Sequence, residues 1–293
     1  MSPLIVGGRT LFGALSSQPT GITTSSGSEY YDTTQNKLYV YDGSAWGYVS
    51  TTGANFGGTE ATHWWKNEGI YSSSTWTAAR GNENFAASGT LTYTASDSRF
   101  NNLKSIGNTG NDYAYMSADS GTNGTFWNGG TDKFSFIMVI DKVQHNSGTS
   151  YGDGCFIQQR AGAADMSWSI DLVGDHTWGG SYGEKFGYIA PPGSYPQKGI
   201  LLCRCGISGA DLKIEWWPAG GSTWSQRGST QQGLPSGVNN SFDAINIFNF
   251  TSATGTTHRF SGAYAEIAYF KDVYISDTVR DAWKTYLVDK FNF

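Results

Sequence analysis

The sequence predicts an all-β protein: two antiparallel sheets packed face to face as a jelly-roll sandwich, preceded by an N-terminal arm and hairpin and closed by one C-terminal helix. Three observations lead there. With 39 Gly, 15% aromatic and only 15% charged residues in 293, the composition matches turn-rich β proteins rather than helical ones. Apolar residues recur every second position over most of the chain, as in MSWSIDL at residues 166–172, where Met166, Trp168, Ile170 and Leu172 share one face of a half-buried strand. Only one segment, after Ser276, repeats its apolar residues with a helical period.

Taken in order, residues 1–28 carry two short apolar patches, Leu4-Ile5-Val6 and Leu11-Phe12, among Gly, Ser, Thr and Pro. Too little apolar surface is present for a core, so this stretch reads as an arm. These five side chains are the candidates for attachment to a partner, because exposed Leu, Ile and Phe gain by docking. Residues 29–55 form a hairpin module: aromatic and β-branched residues 29–33 and 37–41 flank the turn Thr34-Gln35-Asn36, and Asp42-Gly43 reverses the chain again. A lone hairpin is marginal in water. Tyr30, Tyr31, Leu38, Tyr39, Tyr41 and Trp46 therefore need a surface to pack on.

Residues 56–293 are expected to form the sandwich. Residues 133–143 form a strand that is apolar on both faces through Phe136 to Ile140, as in a central strand, and residues 199–207, 211–217, 242–250 and 259–270 supply further strands between Gly-, Ser- and Asn-rich turns. Strands of this length stack as two sheets about 10 Å apart. A closed barrel is the structural alternative. Behind Ser276 or Asp277 as N-cap, Val279, Trp283, Tyr286, Leu287 and Phe291 form one apolar stripe. Asp277 and Asp281 stand near the start of this helix and Lys284 and Lys290 further along, the sense its dipole favours.

Two stretches resemble known families. The pattern P-T-G followed by G-S-x-Y-Y-D-T-T-x-N-K-L-Y-V-Y-D-G-S-A-W, between Pro19 and Trp46, resembles a module near the start of tailed-bacteriophage appendage and fibre proteins. The end of the chain, RFSGAYAEIAYFKDVYISDTVRDAWKTYLVDKF, is similar to the close of concanavalin A-like, laminin-G-like jelly-roll domains, with Gly262 to Ile267 as the G-x-x-A-E-I strand and Tyr286-Leu287 to Lys290 as the Y-L-x-x-K helix end. Together they imply a virion protein, synthesised in the host cytoplasm, that sits on capsid or tail and displays a lectin-like domain to host-surface carbohydrate. They also imply a homo-oligomer, with a trimer the usual state of such proteins. A capsid-decorating protein with no sugar site and a polysaccharide hydrolase are the alternatives.

The charge excludes one partner class. A net charge of −5 with no basic tract offers no clustered cations for counterion release, so no nucleic acid partner is expected. No apolar run is long enough to span a bilayer, no export signal is recognisable in the first 21 residues, and no membrane insertion is expected. Cys155, Cys203 and Cys205 read as buried reduced thiols, because two cysteines spaced two apart on a strand cannot close an unstrained disulfide.

Catalytic patterns are missing from the sequence. The glucanases of the concanavalin A-like superfamily carry E-x-D-x-x-E on a strand, but Glu29, Glu60, Glu68, Glu83, Glu184, Glu215 and Glu266 have no second carboxylate at that offset. There is no G-x-S-x-G elbow, no phosphate loop, and no triad partner beside His63, His145, His176 or His258. No catalytic residue is assigned, and the chain is expected not to be an enzyme. Asp171, Asp175 and His176 at a strand end read as turn residues; Ca²⁺ stays open for a lectin-like sandwich, and no metal ligand is assigned.

Aromatic loops are the stronger lead. Shallow sugar sites stack pyranose faces on Trp or Tyr while Asp, Asn and His bond the hydroxyls. Asp175, His176, Trp178 and Tyr182 combine these in one Gly-rich loop, and Trp224 lies in a second such loop. These five residues are the candidate glycan-binding set.

Overall fold

The computed structural model describes residues 4–6, 9–15, 28–32, 37–41, 46–49, 55–56, 59–108, 114–122, 124–126, 133–144, 155–161, 165–171, 197–206, 213–226, 243–251, 257–259 and 261–293. The chain divides into two compact units, Met1–Thr59 and Glu60–Phe293.

The first unit is a five-stranded sheet in the order Leu4–Val6, Arg9–Leu15, Glu29–Asp32, Lys37–Tyr41, Trp46–Val49. The hairpin pairs as expected, Tyr30 opposite Tyr39 and Tyr31 opposite Leu38. The stretch read as an arm differs, because its two apolar patches are strands that pair with each other, Leu4 opposite Leu11. The second of them runs parallel to Glu29–Asp32. The physical reason is the marginality of a two-stranded ribbon: strands added at its edge satisfy backbone groups that two strands leave open. Tyr30 is only 3% exposed.

The second unit is a sandwich of two antiparallel sheets, as the sequence predicts. One sheet has the order Thr92–Asp97, Leu103–Asn108, Ser261–Lys271, Phe134–Gln144, Gln197–Cys205, Lys213–Pro218, Ser225–Gln226, with His63–Trp65 also paired to Ser261–Lys271. The other has the order Asp165–Asp171, Cys155–Ala161, Ala244–Ile247, Tyr115–Asp119, Phe85–Ser88, Thr75–Trp76. Their inner faces meet in one core that includes Trp65, Trp76, Phe85, Met116, Phe134, Phe136, Met138, Leu201, Cys203, Trp216, Ile245, Ile247, Tyr264 and Tyr269. Cys203 and Cys205 are both buried thiols.

The Phe134–Gln144 strand is apolar on both faces because both are covered. Phe134, Phe136, Met138 and Ile140 point into the sandwich. Ser135, Ile137 and Val139 alternate to the opposite face, where the helix Asp277–Phe291 packs. Ser276 caps that helix by accepting from the Val279 backbone N–H at 3.3 Å, and Val279, Trp283, Leu287 and Phe291 are its buried stripe. Trp283 meets Trp64 edge-on at 5.5 Å and Phe270 at 5.6 Å.

A bulge on Ser261–Lys271 lets one strand serve both layers. Tyr264 pairs with Ile140 and Glu266 with Val139, which leaves Ala265 as the extra residue. Without it, Glu266 would share the inner face with Tyr264; with it, Tyr264, Ile267 and Tyr269 all face the core and Glu266 faces the helix. The bulge falls in the gap where this edge changes partner, from Leu103–Asn108, paired at residues 262–264, to His63–Trp65, paired at residues 267–269.

Candidate functional site: the outer face of the six-stranded sheet

The six-stranded sheet alternates sharply. Trp76, Phe85, Met116, Ala118, Ile245 and Ile247 face the core, whereas Thr75, Ala86, Ser88, Tyr115, Ser117, Asp119 and Asn246 stand on the opposite face. Among the described side chains that face is small and polar, with one aromatic ring, Tyr115, half-buried.

Register lines up one row across all six strands. Thr75 pairs with Ala86, Ala86 with Ser117, Ser117 with Asn246, Asn246 with Gln158, and Gln158 with Ser169. No member of this row is ionisable. The adjoining row places Asp119 and Arg160 on either side of Ala244, one charge of each sign.

Asn246 is the unusual member. It is 1% exposed, and neither its Oδ1 nor its Nδ2 has a hydrogen-bond partner. A buried amide left unpaired costs about 1–3 kcal/mol, so the fold tolerates here a group it could have replaced with an apolar one. Two residues on, Phe248 holds φ at 76°, a conformation rare for a bulky residue. Its ring is buried edge-on against Tyr264 at 4.7 Å. The packing holds the strained backbone in place, and the kink separates Ala244–Ile247 from Asn249–Thr251 where the sequence predicts one strand over residues 242–250.

Asp175, His176, Trp178 and Tyr182 lie outside the described residues, as do Trp127 and the side chain of Trp168. Trp224 is described, and it folds back on the helix: its Nε1 donates to Asp281 Oδ1 at 3.0 Å, its ring meets Trp217 edge-on at 5.7 Å, and the Arg280 guanidinium sits 5.5 Å from its centre. The hydrogen bond from Arg280 holds Asp281 below the usual carboxylate range. Leu4, Ile5, Val6, Leu11 and Phe12 lie on the two paired strands of the first unit. Among the described residues no three His, Cys, Asp or Glu side chains form a metal site, and no helix is long and apolar enough to cross a membrane.

Three carboxylates that sequence spacing treats as isolated have partners far along the chain. Glu83 Oε2 lies 2.5 Å from His63 Nε2. The imidazole is packed among Trp65, Phe126 and Tyr269, its Nδ1 is buried with no hydrogen-bond partner, and burial lowers its pKa despite Glu83. Glu266 is enclosed beneath the helix, where it accepts from Trp64 Nε1 at 2.7 Å, Tyr286 OH at 2.9 Å and Lys290 Nζ at 2.7 Å; burial pushes it above the usual carboxylate range. Glu215 is buried between Arg204 and Arg280, and Arg204 also reaches Asp277 on the first turn of the helix at 2.6 Å. The last two sets tie the helix to the sheet.

No protein-family model and no curated protein matches the chain. Solved structures share its fold at low identity. A mutant Trypanosoma rangeli sialidase displaying trans-sialidase activity is 10% identical over 90% of this chain, with a TM-score of 0.51. The sialidase of the same organism in complex with a difluorinated nonulosonic acid is 10% identical over 89% of this chain, with a TM-score of 0.50. The chain spans 44% of the length of either sialidase chain. Domain 4 of an extracellular arabinanase from Geobacillus stearothermophilus, in complex with arabinotriose, is 13% identical over 76% of this chain and 97% of its own, with a TM-score of 0.44. These neighbours correct the expectation that the chain is not an enzyme. A fold found within sialidase chains is compatible with catalysis, and the missing E-x-D-x-x-E strand removes one carboxylate arrangement, not the whole class.

Proposed function

We propose that this chain is a tailed-bacteriophage virion protein whose sandwich unit engages host-surface carbohydrate on the outer face of its six-stranded sheet. The observation that carries the carbohydrate reading is an outer face whose accessible described side chains, Thr75, Ser88, Ser117 and Tyr115, combine hydroxyls with an aromatic ring. A sugar hydroxyl both donates and accepts, so it can bond such hydroxyls, and half-buried Tyr115 offers a ring beside them. Sharing a fold with sialidase chains supports a saccharide ligand. The virion assignment is supported by the phage-like pattern between Pro19 and Trp46, which falls within the separate N-terminal unit. That unit is the element we assign to particle attachment, and weak single-site affinities would then be multiplied by oligomeric display.

Two measurements test the reading. Full-length protein on an array of bacterial surface glycans is expected to give signal that weakens several-fold in Tyr115→Ala; an array blank for the wild type would overturn the carbohydrate assignment. Antibody against the chain is expected to decorate purified phage particles in electron micrographs, and unlabelled particles would overturn the virion assignment.

A further inference from the structure

We infer that Lys290 and Glu266 are a site of self-catalysed cross-linking, where the lysine Nζ and the glutamate Cδ join as an amide that staples the helix Asp277–Phe291 to the strand Ser261–Lys271.

The groups stand in reacting order. Lys290 Nζ lies 2.7 Å from Glu266 Oε2, and because a C–O bond is about 1.2 Å, Nζ is no more than about 4 Å from Cδ. The other carboxylate oxygen, Oε1, accepts from Trp64 Nε1 at 2.7 Å and from Tyr286 OH at 2.9 Å. Those two donors polarise the carbonyl and are already in place for the oxyanion that forms on attack. Tyr286 and Lys290 are one helical turn apart, so one face of the helix supplies both a donor and the nucleophile. Glu68 stands beside the amine, 3.1 Å from Nζ, with an exposed carboxylate that can relay a proton.

Burial favours the reaction. The Glu266 side chain is 1% exposed and that of Lys290 12%, and burial pushes the Glu266 carboxyl above its ordinary range. Low-dielectric surroundings favour the neutral acid and amine over the ion pair. One proton passes from Nζ to Oε2, and the Nζ lone pair then bonds to Cδ. The second proton leaves nitrogen for Glu68, a proton returns to Oε2, and the Cδ–Oε2 bond breaks to release water. Ammonium and carboxylate thus become one amide and one water, with no oxidant, metal or further reactant. In the product Oε1 keeps both of its donors, and the new N–H has the Glu68 carboxylate as acceptor. The less enclosed lysine side lets the water out, while enclosure of the glutamate guards the bond against hydrolysis.

The other buried ion clusters lack this arrangement. Glu215 is held by the guanidinium groups of Arg204 and Arg280, which stay protonated and cannot attack a carboxyl carbon, and Lys213 Nζ is 3.7 Å away. Asp97 and Asp141 share Arg99. Among the described residues, only Glu266 combines a carboxyl more than nine-tenths buried with a lysine amine at hydrogen-bond distance.

Intact-mass spectrometry of the full chain, reduced and denatured, is expected to give a mass one water, about 18 Da, below that of the sequence. Trypsin is expected to release residues 260–271 joined to residues 285–293, with no cleavage after Lys290. Lys290→Arg, which retains the positive charge but has no amine to acylate, is expected to restore the full mass with an unchanged circular dichroism spectrum. Tyr286→Phe, which removes one donor to Oε1, is expected to lower the joined fraction several-fold. The full sequence mass for the folded wild type, loss of water mapped to any other residues, or the lighter mass persisting in Lys290→Arg would overturn the cross-link. None of these readouts depends on carbohydrate binding.

Discussion

Asn246 carries a stability cost at a single residue. Because its amide is buried and unpaired, Asn246→Leu exchanges a desolvated polar group for an apolar one of similar size and is expected to raise stability by about 1 kcal/mol. Denaturant unfolding should show a higher midpoint, and an unchanged or lower midpoint would refute the cost. His63 gives a second residue-scale expectation. Its pKa is lowered in the fold by burial, so below the ordinary value of 6.5 the unfolded chain binds a proton that the native chain refuses. Stability is therefore expected to fall as pH drops from about 6.5 until the native imidazole also protonates, by up to about 1.4 kcal/mol per pH unit from this group. The difference between wild type and His63→Gln across pH 5 to 7, measured by thermal melting, isolates the effect; parallel profiles would refute it. Neither residue was legible in the sequence. Asn246 sits in an alternating strand like any polar outward residue, and Glu83 meets His63 from a loop twenty positions away. Trp224 shows the converse: a tryptophan in a Gly-rich loop reads as a sugar platform until its Nε1 is seen bonded to Asp281.

Elements were far more legible. The helix was readable from Ser276 and the spacing of Val279, Trp283, Leu287 and Phe291, because the cap and the stripe are both local signals. Ser276→Ala is expected to cost about 1 kcal/mol by releasing the Val279 N–H, seen as a lower melting temperature with unchanged circular dichroism. The Phe134–Gln144 strand was readable because burial on both faces leaves no polar alternation. The break at Phe248 was not, since nothing in the residues around it signals a positive φ. The loop carrying Gly81 tests how tightly the His63 site is built. Gly81 has φ +85°, and a β-carbon there would stand 2.3 Å from His63 Cδ2. Gly81→Ala is expected to destabilise by about 1–3 kcal/mol through backbone strain and the displaced ring, and to shift the His63 resonances in an NMR titration.

At the scale of the whole molecule, two compact units of unequal size are expected to give two transitions in a calorimetric scan of the full chain, the smaller carrying the lesser enthalpy because unfolding enthalpy scales with length. A single transition with equal calorimetric and van't Hoff enthalpies would refute this independence. The sandwich was foreseeable from composition and period alone, since glycine-rich turns and alternation leave few other ways to bury so many aromatic rings. The strands at the start of the chain were not, because Leu4–Val6 and Arg9–Leu15 are too short and too polar around their apolar residues to announce pairing before a partner ribbon is known. The same limit applies to the outer face of the six-stranded sheet: a row across six strands exists only once register is fixed, and no one-dimensional pattern records it.

The spare residue at Ala265 bears on which changes of chain length this protein could survive. Ala265 is the one position in Ser261–Lys271 whose loss would leave the residues on either side still pointing where they point now, since it has no opposite number. Excising Ile267 or Ala268 instead would turn one half of the strand over, driving Glu266 or its neighbours into the apolar interior. A one-codon deletion scan should therefore find a single tolerated gap in an otherwise forbidding stretch, a scar by which lineages of this chain could be told apart.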